Sequence, residues 1–227
     1  MKAMILAAGL GKRMRPLTDT LPKPLLPVGG KPLMMYHIEH LKDLGVREFI
    51  INTAYLGEKI EELLGDGFDL GVSIEYSREA EPLETGGALL QALPLLGEDP
   101  FLLVNGDVWT DYPFERLLDF QLPPECLGHL VLVPNPRHNR RGDFALHEGF
   151  LLHNTEVDQG FTFSGISLLR PQLIGSYSER RQMFPLREAF AEGIALNQLS
   201  GELYEGEWWD IGTPERLQAL DEKLTAG

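Results

Sequence analysis

Apolar and polar positions along the first half of the chain alternate between two rhythms. Short apolar runs with strand character sit at Lys2–Leu6, Glu48–Asn52, Val72–Tyr76 and Phe101–Val104. Between them lie segments with apolar residues three and four apart. In Met34–Leu44, Met34, Ile38, Leu41 and Leu44 share one helical face, and Gly57–Leu64, Gly86–Leu95 and Phe114–Phe120 read the same way. Leu127–Val133 is a further strand. Strands alternating with helices predict an α/β architecture, a parallel-rich sheet with helices on both faces. After about residue 134 the rhythm changes. Phe144–Leu146 and Phe150–His153 flank His147-Glu148-Gly149, which predicts a hairpin. Phe161–Leu169 reads as a strand, Leu186–Glu192 as a helix and Leu196–Trp209 as mostly extended. Thr213 as N-cap and Pro214 at the first helical position start a closing helix to about Leu224. No repeat or linker interrupts the 227 residues, so one domain with a more antiparallel second half is expected.

Charge adds a second layer. The net charge is −14, which argues against nucleic-acid or anionic-membrane partners. Yet residues 1–31 hold six cations (Lys2, Lys12, Arg13, Arg15, Lys23, Lys31) against one acid, Asp19. That segment is +5 and the remainder −19. A cationic island in an acidic chain suits a small polyanion such as a nucleotide or sugar phosphate. A single cysteine, Cys126, leaves no intrachain disulfide, and the longest apolar runs fall short of the ~20 residues of a membrane span. A cytoplasmic protein is expected, with its oligomeric state left open.

The island coincides with the most distinctive segment, Leu6-Ala-Ala-Gly-Leu-Gly-Lys-Arg-Met-Arg15, followed by Pro16-Leu17-Thr18 and Pro22-Lys23-Pro24-Leu25. Small residues directly after a first strand let backbone amides approach a ligand. Gly9-x-Gly11 begins like a dinucleotide fingerprint, but Met14 stands at its third glycine, and no Gly-Lys-Ser/Thr makes a Walker loop. What remains is a glycine loop with two adjacent cations, and a third cation, Lys23, mounted between two prolines.

These residues, LAAGxGxRMxPLT followed by PKPL, resemble the signature of the sugar-1-phosphate nucleotidylyltransferases. Three further motifs follow in the family's order: Glu84-Thr-Gly-Gly-Ala88, Val104-Asn-Gly-Asp107 and Trp208-Trp-Asp-Ile-Gly-Thr-Pro214. The resemblance covers nearly the whole chain. It implies a Rossmann-like mixed sheet flanked by helices, with a nucleotide half over about 1–110 and a smaller antiparallel sugar-binding half over about 111–227. It also implies a reaction in which a sugar 1-phosphate attacks the α-phosphorus of UTP and pyrophosphate leaves, with Mg2+ as cofactor. Asp107 and Asp210 would be the metal ligands. Arg13 and Lys23 would carry catalysis by neutralising the triphosphate, with backbone amides from Gly11 and Lys12. Leu6, Ala8, Gly9, Glu81 and Gly86 would hold the base, and Asn105 the ribose.

The chain departs from many members in lacking a Glu-Lys-Pro lysine for the sugar phosphate. Arg140 and Arg141, just before Gly142, are the candidate replacements, Arg140 foremost, with Asn154, Glu156 and Thr162 as further sugar contacts. In compact length, the Asn-Gly-Asp motif and the stretch Asn135–Phe144 the chain most resembles family members that act on N-acetylmuramate 1-phosphate, which the resemblance implies as the sugar. Its lactyl carboxylate would suit an extra arginine. Glucose, mannose or N-acetylglucosamine 1-phosphate, or an inactive sugar-nucleotide-binding regulatory protein, are the alternatives.

Overall fold

The computed structural model describes residues 1–154 and 160–226. The first half contains β1 (Lys2–Leu6), a short pair β2 (Pro27–Val28) and β3 (Lys31–Pro32), α1 (Leu33–Asp43), β4 (Glu48–Thr53), α2 (Gly57–Leu64), β5 (Ser73–Arg78), α3 (Glu84–Leu96), β6 (Phe101–Asn105), β7 (Val108–Thr110) and α4 (Glu115–Leu118). The second contains β8 (Gly128–Val133), β9 (Phe144–His147), β10 (Phe150–His153), β11 (Thr162–Leu169), α5 (Gln172–Gly175), α6 (Leu186–Ala195), β12 (Leu199–Leu203), β13 (Trp208–Asp210) and α7 (Pro214–Ala226).

Nine strands form one sheet in the order β5-β4-β1-β6-β11-β8-β12-β10-β9. The β5-β4-β1-β6 part is parallel. β11 runs antiparallel to both β6 and β8, and the β9–β10 hairpin completes the far edge. The antiparallel half therefore continues the same sheet. Alternate residues of the central strands feed opposite faces, as a period of two requires. Ala3, Ile5, Phe49, Ile51, Leu102 and Val104 meet Met34, Ile38 and Leu41 of α1 and Ile60 of α2. Met4, Ile50 and Leu103 meet Leu89 and Ala92 of α3, Leu173 of α5 and Phe190 of α6 on the other side. Burial on both faces is why these strands read as unbroken apolar runs.

Two departures from the sequence reading stand out. The helix expected over Phe114–Phe120 is only one turn, because Pro113 precedes it and Pro123-Pro124 follows closely. The extended tail splits in two: β12 stays in the main sheet, while β13 leaves it and pairs antiparallel with β7. A third small cluster (Met14, Leu26, Val28, Leu33, Ile211, Leu217 and Leu220) fastens α7 over the N-terminal segment. The hairpin follows expectation: Glu148 and Gly149 both have positive φ, 49° and 81°, as a two-residue primed turn demands. Thr213 also caps α7, accepting the Arg216 N–H on its Oγ1 at 3.4 Å. None of the described helices is long and apolar enough to cross a membrane.

Candidate active site

The carboxyl ends of β1, β4 and β6 open into a cleft, where ligands of open α/β sheets bind. The cleft has two chambers. The first, of about 420 Å³, is lined by residues 6–14, Lys23, Asn52, Glu79, residues 82–85, Asn105, Asp107 and Gly212. The second, of about 650 Å³, is lined by Gly142, Asp143, Phe144, Phe163 and residues 185–188, 190 and 191. Leu6, Thr85 and Asn105 border both, so the chambers are adjacent.

The glycine loop wraps the first chamber. Gly11 takes a left-handed φ of 58°, and its carbonyl accepts from the Thr18 hydroxyl at 2.8 Å and from the Met14 N–H at 2.8 Å. A Cβ at Gly11 would stand 2.8 Å from the Thr18 methyl, so no other residue fits without strain. Met14 is buried, and a single helical turn over residues 12–14 presents Lys12 and Arg13 outward. Four of the six cations of residues 1–31 pair with carboxylates: Lys2 with Glu48, Arg15 with Asp19, Lys23 with Asp107 and Lys31 with Glu39. Lys12 and Arg13 make no ion pair among the described residues, and both line the chamber. The charge island thus resolves into two uncommitted cations facing the cleft.

A buried polar chain supports this loop from behind. The Asn52 side-chain oxygen accepts the Ala7 N–H at 2.8 Å, and its amide donates to Glu79 at 2.7 Å. Glu79 in turn accepts the Leu83 N–H at 3.1 Å. Asn52 and Glu79 are 3% and 8% exposed. The sequence reading missed both. A signal existed, since Asn52 is a polar residue at the carboxyl end of an apolar strand, the sheet end where ligands bind.

Asp107 and Asp210 come together through the β7–β13 pair. Asp210 lies opposite Val108, and the Ile211 N–H donates to the Asp107 carbonyl at 2.8 Å. Lys23 holds the Asp107 carboxylate; Arg216 and His138 hold that of Asp210, His138 at 3.1 Å. Arg216 and His138 were not foreseen. Arg13 reaches the same region: a methyl built at Gly212 would stand 3.4 Å from its guanidinium. Two carboxylates backed by cations form a site whose charge balance depends on what enters. Among the described residues no three His, Cys, Asp or Glu converge as a metal cage. Below the site, His37 is buried and bonded through Nε2 to the Val108 carbonyl at 2.8 Å. Burial, the main cause, pulls its pKa down to about 4, so it is a neutral packing residue.

The structure brings Leu6, Ala8, Gly9, Gly11, Lys12, Arg13, Lys23, Asn105 and Asp107 to the first chamber. Asn105 abuts Gly165, whose φ of 81° and missing Cβ make room for it: a Cβ there would lie 2.6 Å from the Asn105 amide. Glu81 is exposed and lies outside the lining, whereas Glu79, Leu83 and Thr85 from the same turn line it. Gly86 is buried under Phe184 at the start of α3. On the sugar side, Gly142 lines the second chamber and Arg140 does not; Arg140 is exposed. Asn154 donates to the Gly142 carbonyl at 2.9 Å, and the Thr162 hydroxyl donates to Asn135 at 2.8 Å, so both side chains brace the loop over residues 135–143. Glu156 lies outside the described residues.

Comparison with known proteins identifies the family. Residues 2–142 match the family model described as nucleotidyl transferase. The chain is 48% identical, over 96% of both sequences, to N-acetylmuramate alpha-1-phosphate uridylyltransferase of Neisseria meningitidis serogroup B. It is 34% identical to mannose-1-phosphate guanyltransferase of Hypocrea jecorina, covering 95% of this chain and 62% of that one. A Bacillus anthracis crystal structure of a candidate glucose-1-phosphate thymidylyltransferase superposes with a TM-score of 0.83 at 22% identity, over 99% of this chain and 95% of the other. HddC from Yersinia pseudotuberculosis gives 0.79 at 24% identity, over 98% of each. These two establish the shared fold. The chain belongs to the nucleotidyl transferase family and is a sugar-1-phosphate nucleotidyltransferase.

Proposed function

We propose that the chain transfers UMP from UTP to N-acetylmuramate 1-phosphate, yielding a UDP-sugar and pyrophosphate, as a cytoplasmic step in cell-wall recycling. The observation that carries this reading is the 48% identity to the Neisseria uridylyltransferase over 96% of both chains. Residues 1–110 form the nucleotide half of a single domain and residues 111–227 the sugar half, meeting at Asn105.

The chemistry needs little beyond placement. A sugar-phosphate oxygen forms a bond to the α-phosphorus while the bond from that phosphorus to the bridging oxygen breaks. The nucleophile is already an oxyanion, so no base must take a proton. The burden is to hold two polyanions in line and to neutralise charge growing on pyrophosphate. Lys12 and Arg13, uncommitted and on the loop, meet the outer phosphates. Lys23 meets the α-phosphate and releases Asp107. The Leu6–Gly9 backbone, held by Asn52, and the turn lined by Glu79 and Thr85 receive the base; Asn105 receives the ribose. Asp107 and Asp210 fit a magnesium ion: it takes hard oxygen donors and is commonly bound by one or two carboxylates plus substrate phosphates and waters. When bound, it supplies charge neutralisation between the two phosphate groups.

The test is pyrophosphate release from a panel of nucleoside triphosphates and sugar 1-phosphates, with and without Mg2+. UTP with N-acetylmuramate 1-phosphate should give the highest kcat/KM, and chelation should abolish it. A preference for GTP with mannose 1-phosphate would favour the activity named for the guanyltransferase relatives. Absence of turnover with every pair would indicate a binding protein.

A further inference from the structure

The sugar half lacks the expected lysine, and Arg140 does not line the cleft, so the cation that meets the sugar must be sought elsewhere. The second chamber has an apolar floor in which Phe190 meets Phe144 and Phe163 edge-on, at 6.0 and 5.5 Å between ring centres. Its lining carries three charges, on Asp143, Arg187 and Glu188. Two of them are engaged. Asp143 accepts the Phe163 N–H at 2.8 Å and the Asn139 amide at 3.2 Å. Glu188 is clasped by both ends of the Arg181 guanidinium, at 2.8 and 3.0 Å, and by the Tyr177 hydroxyl at 3.0 Å. Arg187 makes no hydrogen bond or ion pair among the described residues.

Its backbone position is fixed by the fold, while its side chain, like that of Arg140, is exposed. Arg187, Phe190 and Ala191 line the chamber at i, i+3 and i+4 of α6, which puts them on one helical face. The Leu186 N–H is held by the Thr85 hydroxyl at 2.9 Å, so the first turn of α6 is pinned to the boundary between the chambers. The helix's positive end adds to the charge of Arg187 there. The reacting phosphates belong with Lys12, Arg13, Lys23 and Asp107 in the first chamber. A cation in the second is therefore placed for a different anionic group.

We infer that Arg187 selects the acidic sugar: its guanidinium pairs with the carboxylate on the sugar's substituent in the second chamber. Arg suits this role because its planar fork matches a carboxylate in two places. The inference rests on the reading that the substrate is a sugar 1-phosphate bearing a lactyl carboxylate. N-acetylglucosamine 1-phosphate is the natural comparison, being the same sugar without that group.

The experiment measures kcat/KM with UTP for both sugars in wild type, Arg187→Ala, Arg187→Lys and Arg140→Ala. In Arg187→Ala the acid-to-neutral ratio should fall about 10- to 100-fold, mostly through KM for the acidic sugar. Arg187→Lys should recover part of it. A ratio within twofold of wild type in Arg187→Ala would overturn the inference, whether both constants held or both fell together as they would for a phosphate ligand. So would a comparable fall in Arg140→Ala alone. Failure of the wild type to use N-acetylmuramate 1-phosphate would overturn the functional reading and this inference with it, and is told apart because it shows before any variant is made.

Discussion

Lys23 and Asp107, 84 positions apart in the chain, meet as an ion pair between the proline-mounted turn and the end of β6. The lysine is largely covered, with 11% of its side chain exposed, and the aspartate is 39% exposed. Each is thus held by the other until a ligand offers both a better partner. Asp107→Asn and Asp210→Asn should each lower turnover by about 10²–10³-fold, the scale of losing one well-placed electrostatic group. The thermal midpoint should move little, because shape is kept and both sites are partly open to water. Pyrophosphate release and a melting curve on each variant check this. Near-normal turnover in either would remove that residue from the metal site.

Arg13 should act on the chemical step. Its guanidinium pairs with no carboxylate among the described residues and lies beside Gly212, close to the segment that carries Asp210. Arg13→Ala should cut the single-turnover rate about 10²–10³-fold while changing stability by under about 0.5 kcal/mol, as for other exposed side chains. Rapid-quench kinetics at saturating substrates read the first quantity and denaturant unfolding the second. An unchanged single-turnover rate would sink the assignment.

Asn52 should serve both the fold and the nucleotide. Asn52→Leu leaves the Ala7 N–H and the Glu79 carboxylate without their partner in a buried place. Each such group costs about 1–3 kcal/mol, so the midpoint should drop by roughly 4–20 °C for a chain of this size. KM for UTP should rise because the Leu6–Gly9 backbone loses its brace. A stable variant with unchanged KM would show that the polar chain is dispensable.

His37 sets a pH dependence with a definite sign. Its folded pKa is depressed to about 4 by burial, against 6.5 when exposed. The unfolded chain therefore takes up a proton that the folded one refuses as pH falls from 6.5 to 4. Stability is fully present above that window and declines within it, by up to about 3 kcal/mol from this group. His129, also lowered by burial, pulls the same way. His37→Gln, whose amide can still donate to the Val108 carbonyl, should flatten the decline. Unfolding free energies at pH 7.5, 5.5 and 4.5 for both proteins test it; superimposable slopes would refute it.

Much of the fold was legible because local signals agreed. Buried parallel strands such as Phe101–Val104 must be continuously apolar, and Glu148-Gly149 and Thr213-Pro214 are chemically suited to a turn and a helix start. The glycine loop was legible for a similar reason: a left-handed φ and the nearby Thr18 methyl restrict which residues can stand at Gly11. What escaped was long-range. Nothing local to Trp208–Asp210 says that it abandons the main sheet for β7. Nor does anything near Arg216 or His138 say that they converge on Asp210 from 6 and 72 residues away. On the sugar side, Arg140 and Arg187 look equally available in sequence; only the face of α6 turned to the chamber distinguishes them.

The buried cluster that joins Met14, Leu26 and Val28 to Ile211, Leu217 and Leu220 also sets an order of events in biosynthesis. The glycine loop emerges early from the ribosome, yet its anchor Met14 finds those partners only after nearly 200 more residues are made. At about 5–20 residues per second that interval is roughly 10–40 s. Throughout it, the nascent chain has its glycine loop and Lys23 but neither Asp210 nor the apolar clamp that steadies Met14. The packing that fixes Met14 is therefore completed only when α7 has been made.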